Sequence, residues 1–193
     1  GGGISCWIYS SPSLENVMIS GNTANSYGGG ILSWESSPSL ENVTISDNTA
    51  GSSGGGGIYS YSSGISLENV NISDNWTSSG PGGGISLNLS IPILTNVTIS
   101  GNEADGYGGG MFVDFSNPIL THVTVSGNTA SNGSGGGLFT INSNVVLLNT
   151  ILWNNAPQEI EIFEGGSVTV TYSDIQRDEV WGGDGNINAD PLF

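Results

Sequence analysis

A leucine, a valine three residues later and an isoleucine two beyond that recur from one end of this chain to the other. Leu14, Leu40, Leu67, Leu94, Leu120 and Leu147 form the first series, and Val17, Val43, Val70, Val97, Val123 and Thr150 the second. Ile19, Ile45, Ile72, Ile99, Val125 and Leu152 form the third. V-x-I is the alternation of a β-strand, and no stretch shows the i, i+3, i+4 spacing of a helix.

Two further marks keep step with these. An apolar residue follows each glycine triplet at Ile4, Ile31, Ile58, Ile85, Met111 and Leu138, spaced by 27, 27, 27, 26 and 27 residues. Asparagines form one series at Asn22, Asn48, Asn75, Asn102, Asn128 and Asn155. A second lies six residues earlier, at Asn16, Asn42, Asn69, Asn96 and Asn149, with His122 in the fifth copy. A unit of this length with three short strands and Gly and Asn at its corners predicts one turn of a parallel β-helix. Stacked at the strand spacing of about 4.8 Å, equivalent residues lie above one another. The apolar series then become interior columns.

Both asparagine series are read as structural ladders, since Asn tolerates a left-handed corner and its amide both donates and accepts. N-x-S/T matches such as Asn42-Val-Thr44 and Asn96-Val-Thr98 become by-products of the repeat, because an inward ladder asparagine is closed to glycosylation. His122 reads as a substitution within a ladder. Residues 1–155 form the regular repeats and residues 156–193 a shortened last coil and terminal loop, with Val170, Tyr172, Ser173 and Ile175 aligned on Leu147, Asn149, Thr150 and Leu152.

Composition agrees with an all-β repeat: 32 glycines among 193 residues, with 36% hydrophobic residues to fill a core. Seventeen acids stand against one base, Arg177, for a formal charge of −16. Nucleic acid and anionic membrane surfaces are held mainly through Lys and Arg, so neither is an expected partner. The single Cys6 excludes an internal disulfide framework. No run of about 18 apolar residues marks a membrane helix. The opening "GGGI" falls in mid-repeat, as expected of a processed chain or a fragment.

With G-G-G-I and I-S-G-N-T-A (Ile19 to Ala24) in view, the chain resembles the right-handed parallel β-helix proteins of bacterial cell surfaces. It is similar above all to the passenger repeats of chlamydial polymorphic outer membrane proteins, marked by GGA plus an aliphatic residue and by F-x-x-N. Here Gly replaces the Ala and Ile the Phe. The resemblance runs from Gly1 to about Asn155. It implies an extracellular, right-handed β-helix (a β-solenoid), for which the spacing gives about six coils of 26–27 residues plus a shortened seventh, and it names no ligand.

The candidate chemistry is sparse. A lyase acting on an anionic polysaccharide needs several Lys or Arg, and one is present. Paired acids such as Asp47 with Asp74 fall at repeat positions rather than at one singular place, so no catalytic residue is assigned. The column Glu15, Glu41 and Glu68 either splays into solvent or holds a divalent cation. Asp184, Asn186, Asn188 and Asp190 alternate like the start of a calcium loop but lack its glycine and closing glutamate, leaving a polar turn as the other reading. No cofactor is expected other than calcium at this turn.

The most informative surface is the outer face of the first strand. If Ile31 and its equivalents point inward, Leu32, Tyr59, Phe112 and Phe139 form one outward column, and Trp7, Trp34 and Tyr61 head another. A contiguous apolar strip of this kind invites a sugar, another copy of the chain, or cover by a loop. The leading expectation is a non-enzymatic extracellular rod used in adhesion, coating or self-assembled filaments. A glycan-binding adhesin and a polysaccharide-degrading enzyme stand as alternatives.

Overall fold

The computed structural model describes residues 1–192. Coil two shows the plan, with strands at Ile31–Trp34, Ser39–Glu41, Thr44–Ser46 and Thr49–Ala50. Each pairs in parallel, without shift, with its equivalents in the coils on either side: Ile31 lies between Ile4 and Ile58, Leu40 between Leu14 and Leu67, and Ile45 between Ile19 and Ile72. Among the described residues this builds three seven-stranded sheets and one five-stranded sheet, all parallel. The coil holds four strands where the sequence pattern predicts three. The fourth is only two residues long, as in Thr49–Ala50, too short to display an alternation of its own.

The apolar series fill the interior as columns. Leu40, Leu67, Leu94, Leu120 and Leu147 are buried, and so are the valines and isoleucines that follow them. Each such side chain contributes about 1.5–3 kcal/mol on leaving water. A further column escaped the sequence reading. Pro38, Ile65, Pro92, Pro118 and Val145 are buried at the entrance to the second sheet. There the proline carbonyls still accept, as Pro38 does from the Ser66 N–H at 3.1 Å. Proline is tolerated at a strand start because only its missing N–H is lost to the ladder.

The two asparagine series do different work. Asn16, Asn42, Asn69, Asn96, His122 and Asn149 all have φ of 50–55°. Their side chains face solvent, with few contacts between copies, such as Asn96 Nδ2 to Asn69 Oδ1 at 3.3 Å. Asparagine is used here for a left-handed corner, and the burial argument against modification of Asn42 and Asn96 does not hold. His122 keeps the same corner, its Nε2 3.2 Å from Asn149 Nδ2.

Asn48, Asn75, Asn102 and Asn128, by contrast, are fully buried without a positive φ. The left-handed corner beside them belongs to the preceding residue: Gly21, Asp47, Asp74, Gly101, Gly127 and Asn154. Each buried amide donates twice and accepts twice. Asn75 Nδ2 donates to Asn102 Oδ1 and to the Ile45 carbonyl, both at 2.9 Å. Its Oδ1 accepts from the N–H of Asn48 at 3.0 Å and from Asn48 Nδ2 at 2.9 Å.

The glycine triplet makes the close stacking of coils geometrically feasible. Gly55 has φ +69°, while a Cβ on Gly56 would lie 2.3 Å from the Gly83 carbonyl oxygen and one on Gly57 2.7 Å from that of Gly84. The first glycine supplies the turn and the next two the close approach.

The last coil is short but in register. Ile160 pairs with Leu138, Val170 with Leu147 and Ile175 with Leu152. The tail then returns across it, with Ile187 bridging to Asp174 and the Tyr172 N–H donating to the Asp184 carbonyl at 2.8 Å.

Candidate functional site

The outward face of the first sheet is not one continuous strip. Its first column reads Leu32, Tyr59, Ser86, Phe112 and Phe139 in register, and its second Trp34, Tyr61, Asn88 and Asp114. Ser86 and the pair Asn88–Asp114, joined by an amide-to-carboxylate hydrogen bond of 2.9 Å, interrupt it. Two aromatic clusters result.

In both clusters a tyrosine from the turn before the glycine triplet folds over the first column. Tyr27 lies 4.6 Å from Tyr59, and Tyr107 lies 4.7 Å from Phe139. Leu32 is 3% exposed and Phe139 5%, although both point away from the helix interior. Loop cover therefore accounts for Leu32, Tyr59 and Phe139, which the outward pattern alone places in solvent. The signal was present in the sequence as Y-G-G-G in the first and fourth repeats. Burial among these rings, with Tyr27, Tyr61 and Asp114 adding to it, pushes the Tyr59 hydroxyl up to about 12, so it stays neutral.

The second column of the first cluster is a stack of rings. Trp34 lies 5.6 Å from Trp7 at 25° and 4.2 Å from Tyr61 at 22°. Both faces of Trp34 are thus occupied by neighbouring rings. A sugar packs on an open aromatic face, and Trp34 offers only its edge. Trp7 is 52% exposed. The other cluster stacks Phe112 on Phe139 at 5.5 Å and Phe139 on Phe163 at 6.2 Å, beside a groove of about 400 Å³ that Glu161 also lines.

The remaining candidates separate on geometry. Glu15, Glu41 and Glu68 are register neighbours and all exposed. Among the described residues no three acidic, histidine or cysteine side chains gather as a metal-ligand set. In the tail, Asn186 is part of the fold: its Oδ1 accepts from the Ser173 N–H at 3.0 Å, and its Nδ2 donates to the carbonyls of Val170 and Trp181. Asn188 donates to the Arg177 carbonyl, and Asp190 closes a turn onto the Leu192 N–H at 2.9 Å. Asn186 is thus engaged in closing the last coil and Asn188 and Asp190 in turns of the tail, which favours the polar turn over a calcium loop.

Sequence reasoning missed two buried polar features. Ser36, Ser63, Ser90, Ser116 and Ser143 form a second ladder, each N–H donating to the next Oγ at 2.8–3.2 Å. Their phase is constant, but serine is too common here to stand out. The other is Glu159, 6% exposed, which ends the asparagine ladder. One carboxylate oxygen accepts from the Asn155 N–H at 3.0 Å and the other from Asn155 Nδ2.

Burial holds the Glu159 carboxyl above its ordinary value of 4.5, with the Asn155 donors opposing the shift. The folded state therefore binds this proton more tightly than the unfolded chain. Its contribution to stability is fully present below the ordinary value and is lost as pH rises through the raised one. Glu159→Gln, whose single Oε1 can accept from both Asn155 donors as Oδ1 does elsewhere in the ladder, is expected to remove that pH dependence. Urea melts of both proteins across this window check it: the wild type should lose stability relative to the variant as pH rises.

Stacked parallel coils, a filled interior and an internally satisfied asparagine ladder define a parallel β-helix. The chain belongs to the right-handed β-helix family, whose model, the right handed beta helix region, matches residues 2–175. No curated protein matches the sequence. Two trypsin-treated forms of QnrB1, a plasmid-mediated fluoroquinolone resistance protein, align over 89% and 86% of this chain and 82% of each of theirs. Their identities are 14% and 10% and their TM-scores 0.19 and 0.17, too low to carry an argument.

Proposed function

We propose that the chain is a stiff, non-enzymatic structural rod working at an extracellular surface, in coating, adhesion or assembly. The observation that carries this reading is the amide ladder, which runs unbroken from Asn22 to Asn155 and ends on Glu159. It satisfies the buried amides inside the wall and ties each coil to the next. The surface setting rests on the likeness of the G-G-G-I and I-x-x-N marks to the passenger repeats named above.

Hydrogen exchange provides the test. The N–H groups of Asn48, Asn75 and Asn102 should exchange together and only through global opening. Independent exchange coil by coil would mean that the rod is not one stiff unit. Reducing-end release from a polysaccharide panel would reject the non-enzymatic part. Glycan binding that disappears in Trp34→Ala would favour the adhesin, which the closed faces of the Trp34 stack argue against.

A further inference from the structure

The turn between coils five and six carries the chain's single Asn-Gly step, Asn132-Gly133. Both flanks of the step are tied to the turn of the coil before. The Asn132 N–H donates to the Asp105 carbonyl at 3.0 Å, and the Ser134 carbonyl accepts from the Gly108 N–H at 3.0 Å. Between them, the Gly133 N–H donates to no backbone carbonyl among the described residues. The Asn132 side chain is exposed, and its Nδ2 donates to Asp105 Oδ1 in competition with water. The step therefore sets an electrophile, the side-chain carbonyl carbon, beside a free backbone nitrogen.

We propose that Asn132 is a site of spontaneous deamidation in the folded protein. The Gly133 nitrogen, on losing its proton, attacks Asn132 Cγ and closes a succinimide ring, while Nδ2 departs as ammonia. Water then opens the ring at either carbonyl and leaves the free carboxylate of an aspartate or an isoaspartate. One water is taken up and one ammonia released, and nothing is oxidised or reduced. The product sets a carboxylate against Asp105 where an amide donor stood, so this side-chain tie between the two turns is lost. The chemistry does not depend on the rod's proposed role.

Other residues of the chain serve as controls. Glycine matters because it has no Cβ to crowd the attacking nitrogen. Asn25 and Asn142 are also exposed, but Ser26 and Ser143 follow them and supply that crowding. At Asp105-Gly106 and Asp184-Gly185 the electrophile is an ionised carboxylate, which an incoming nitrogen attacks far less readily. Ladder asparagines such as Asn75 are buried, with their amides held by two acceptors.

Incubation of the native protein in mildly alkaline buffer, followed by peptide mapping, tests the proposal. The segment holding Asn132 should gain about 1 Da, the difference between an amide and an acid, before any other asparagine segment does. Isoaspartate methyltransferase should label the same segment. Asn132→Gln, whose longer side chain disfavours the ring but keeps a terminal amide, should abolish the shift there. An Asn132 that stays intact in the folded protein while the urea-unfolded chain converts, or prior conversion of Asn25 or Asn142, overturns the proposal. Asn132→Asp reads the consequence: the Gly108 N–H should exchange with deuterium faster than in the wild type at neutral pH. Equal exchange overturns the loss of the tie.

Discussion

Asn75→Ala is expected to lower the free energy of unfolding by roughly 3–5 kcal/mol, read from equilibrium urea melts. Removing this one amide strands two buried donors, the N–H and Nδ2 of Asn48, and deprives the Ile45 carbonyl of a partner. Each buried group left unpaired costs about 1–3 kcal/mol. Asn75→Asp should be nearly as damaging despite its equal size. It keeps the acceptor but places a buried charge where two donors are needed, against Asn102 Oδ1 and the Ile45 carbonyl. Asn42→Gly is the control from the other series. Asn42 is exposed with φ of 54°, a conformation glycine adopts freely, so the change should stay within about 0.5 kcal/mol. Equal losses at Asn75 and Asn42 would reject the division of labour between the two series.

Gly56→Ala is the second large effect, at least the ~3 kcal/mol that severe overpacking costs. Its new Cβ would meet the Gly83 carbonyl oxygen at 2.3 Å and the backbone N and O of Trp76 at 2.7 and 2.8 Å. All three are backbone atoms of the stack, so no side chain can swing aside. Two other glycines calibrate the result. Gly127 has open space but φ of +63°, so alanine there should cost only the ~1–2 kcal/mol of left-handed strain. Gly182 has neither crowding nor a left-handed φ, and Gly182→Ala should be neutral in the same melts. A flat response across the three would mean that the coils are packed less closely than their spacing implies.

These variants also mark how far the sequence is legible. The period, the apolar columns and their register could be read directly, because each column repeats one residue type and stacking at strand spacing demands identity of phase. Ile31 beside Ile58 and Leu40 beside Leu67 follow from counting alone. Asn42 and Asn48, however, look alike as letters. One turns a corner in solvent and the other holds the interior, and only the direction of each side chain separates them.

The candidate surface divides in the same way. Alternation placed Leu32, Tyr59 and Phe139 outside the helix wall, and they are outside it. What it could not reveal is that Tyr27 and Tyr107 fold over them, since that contact joins a turn to a sheet. Glu159 was invisible for a related reason. It lies in the irregular last coil, four residues past Asn155, and becomes the end of the ladder only when the intervening turn brings its carboxylate to that amide.

The sequence by itself therefore determined the repeat, the parallel stacking and the composition of the core, because a periodic chain repeats the same local physics in every coil. The tertiary structure alone decided which polar residues are buried, which aromatic rings are covered and which apolar side chains remain bare. Those outcomes depend on where a turn or a tail comes to rest, and turns and tails are where the repeat gives out.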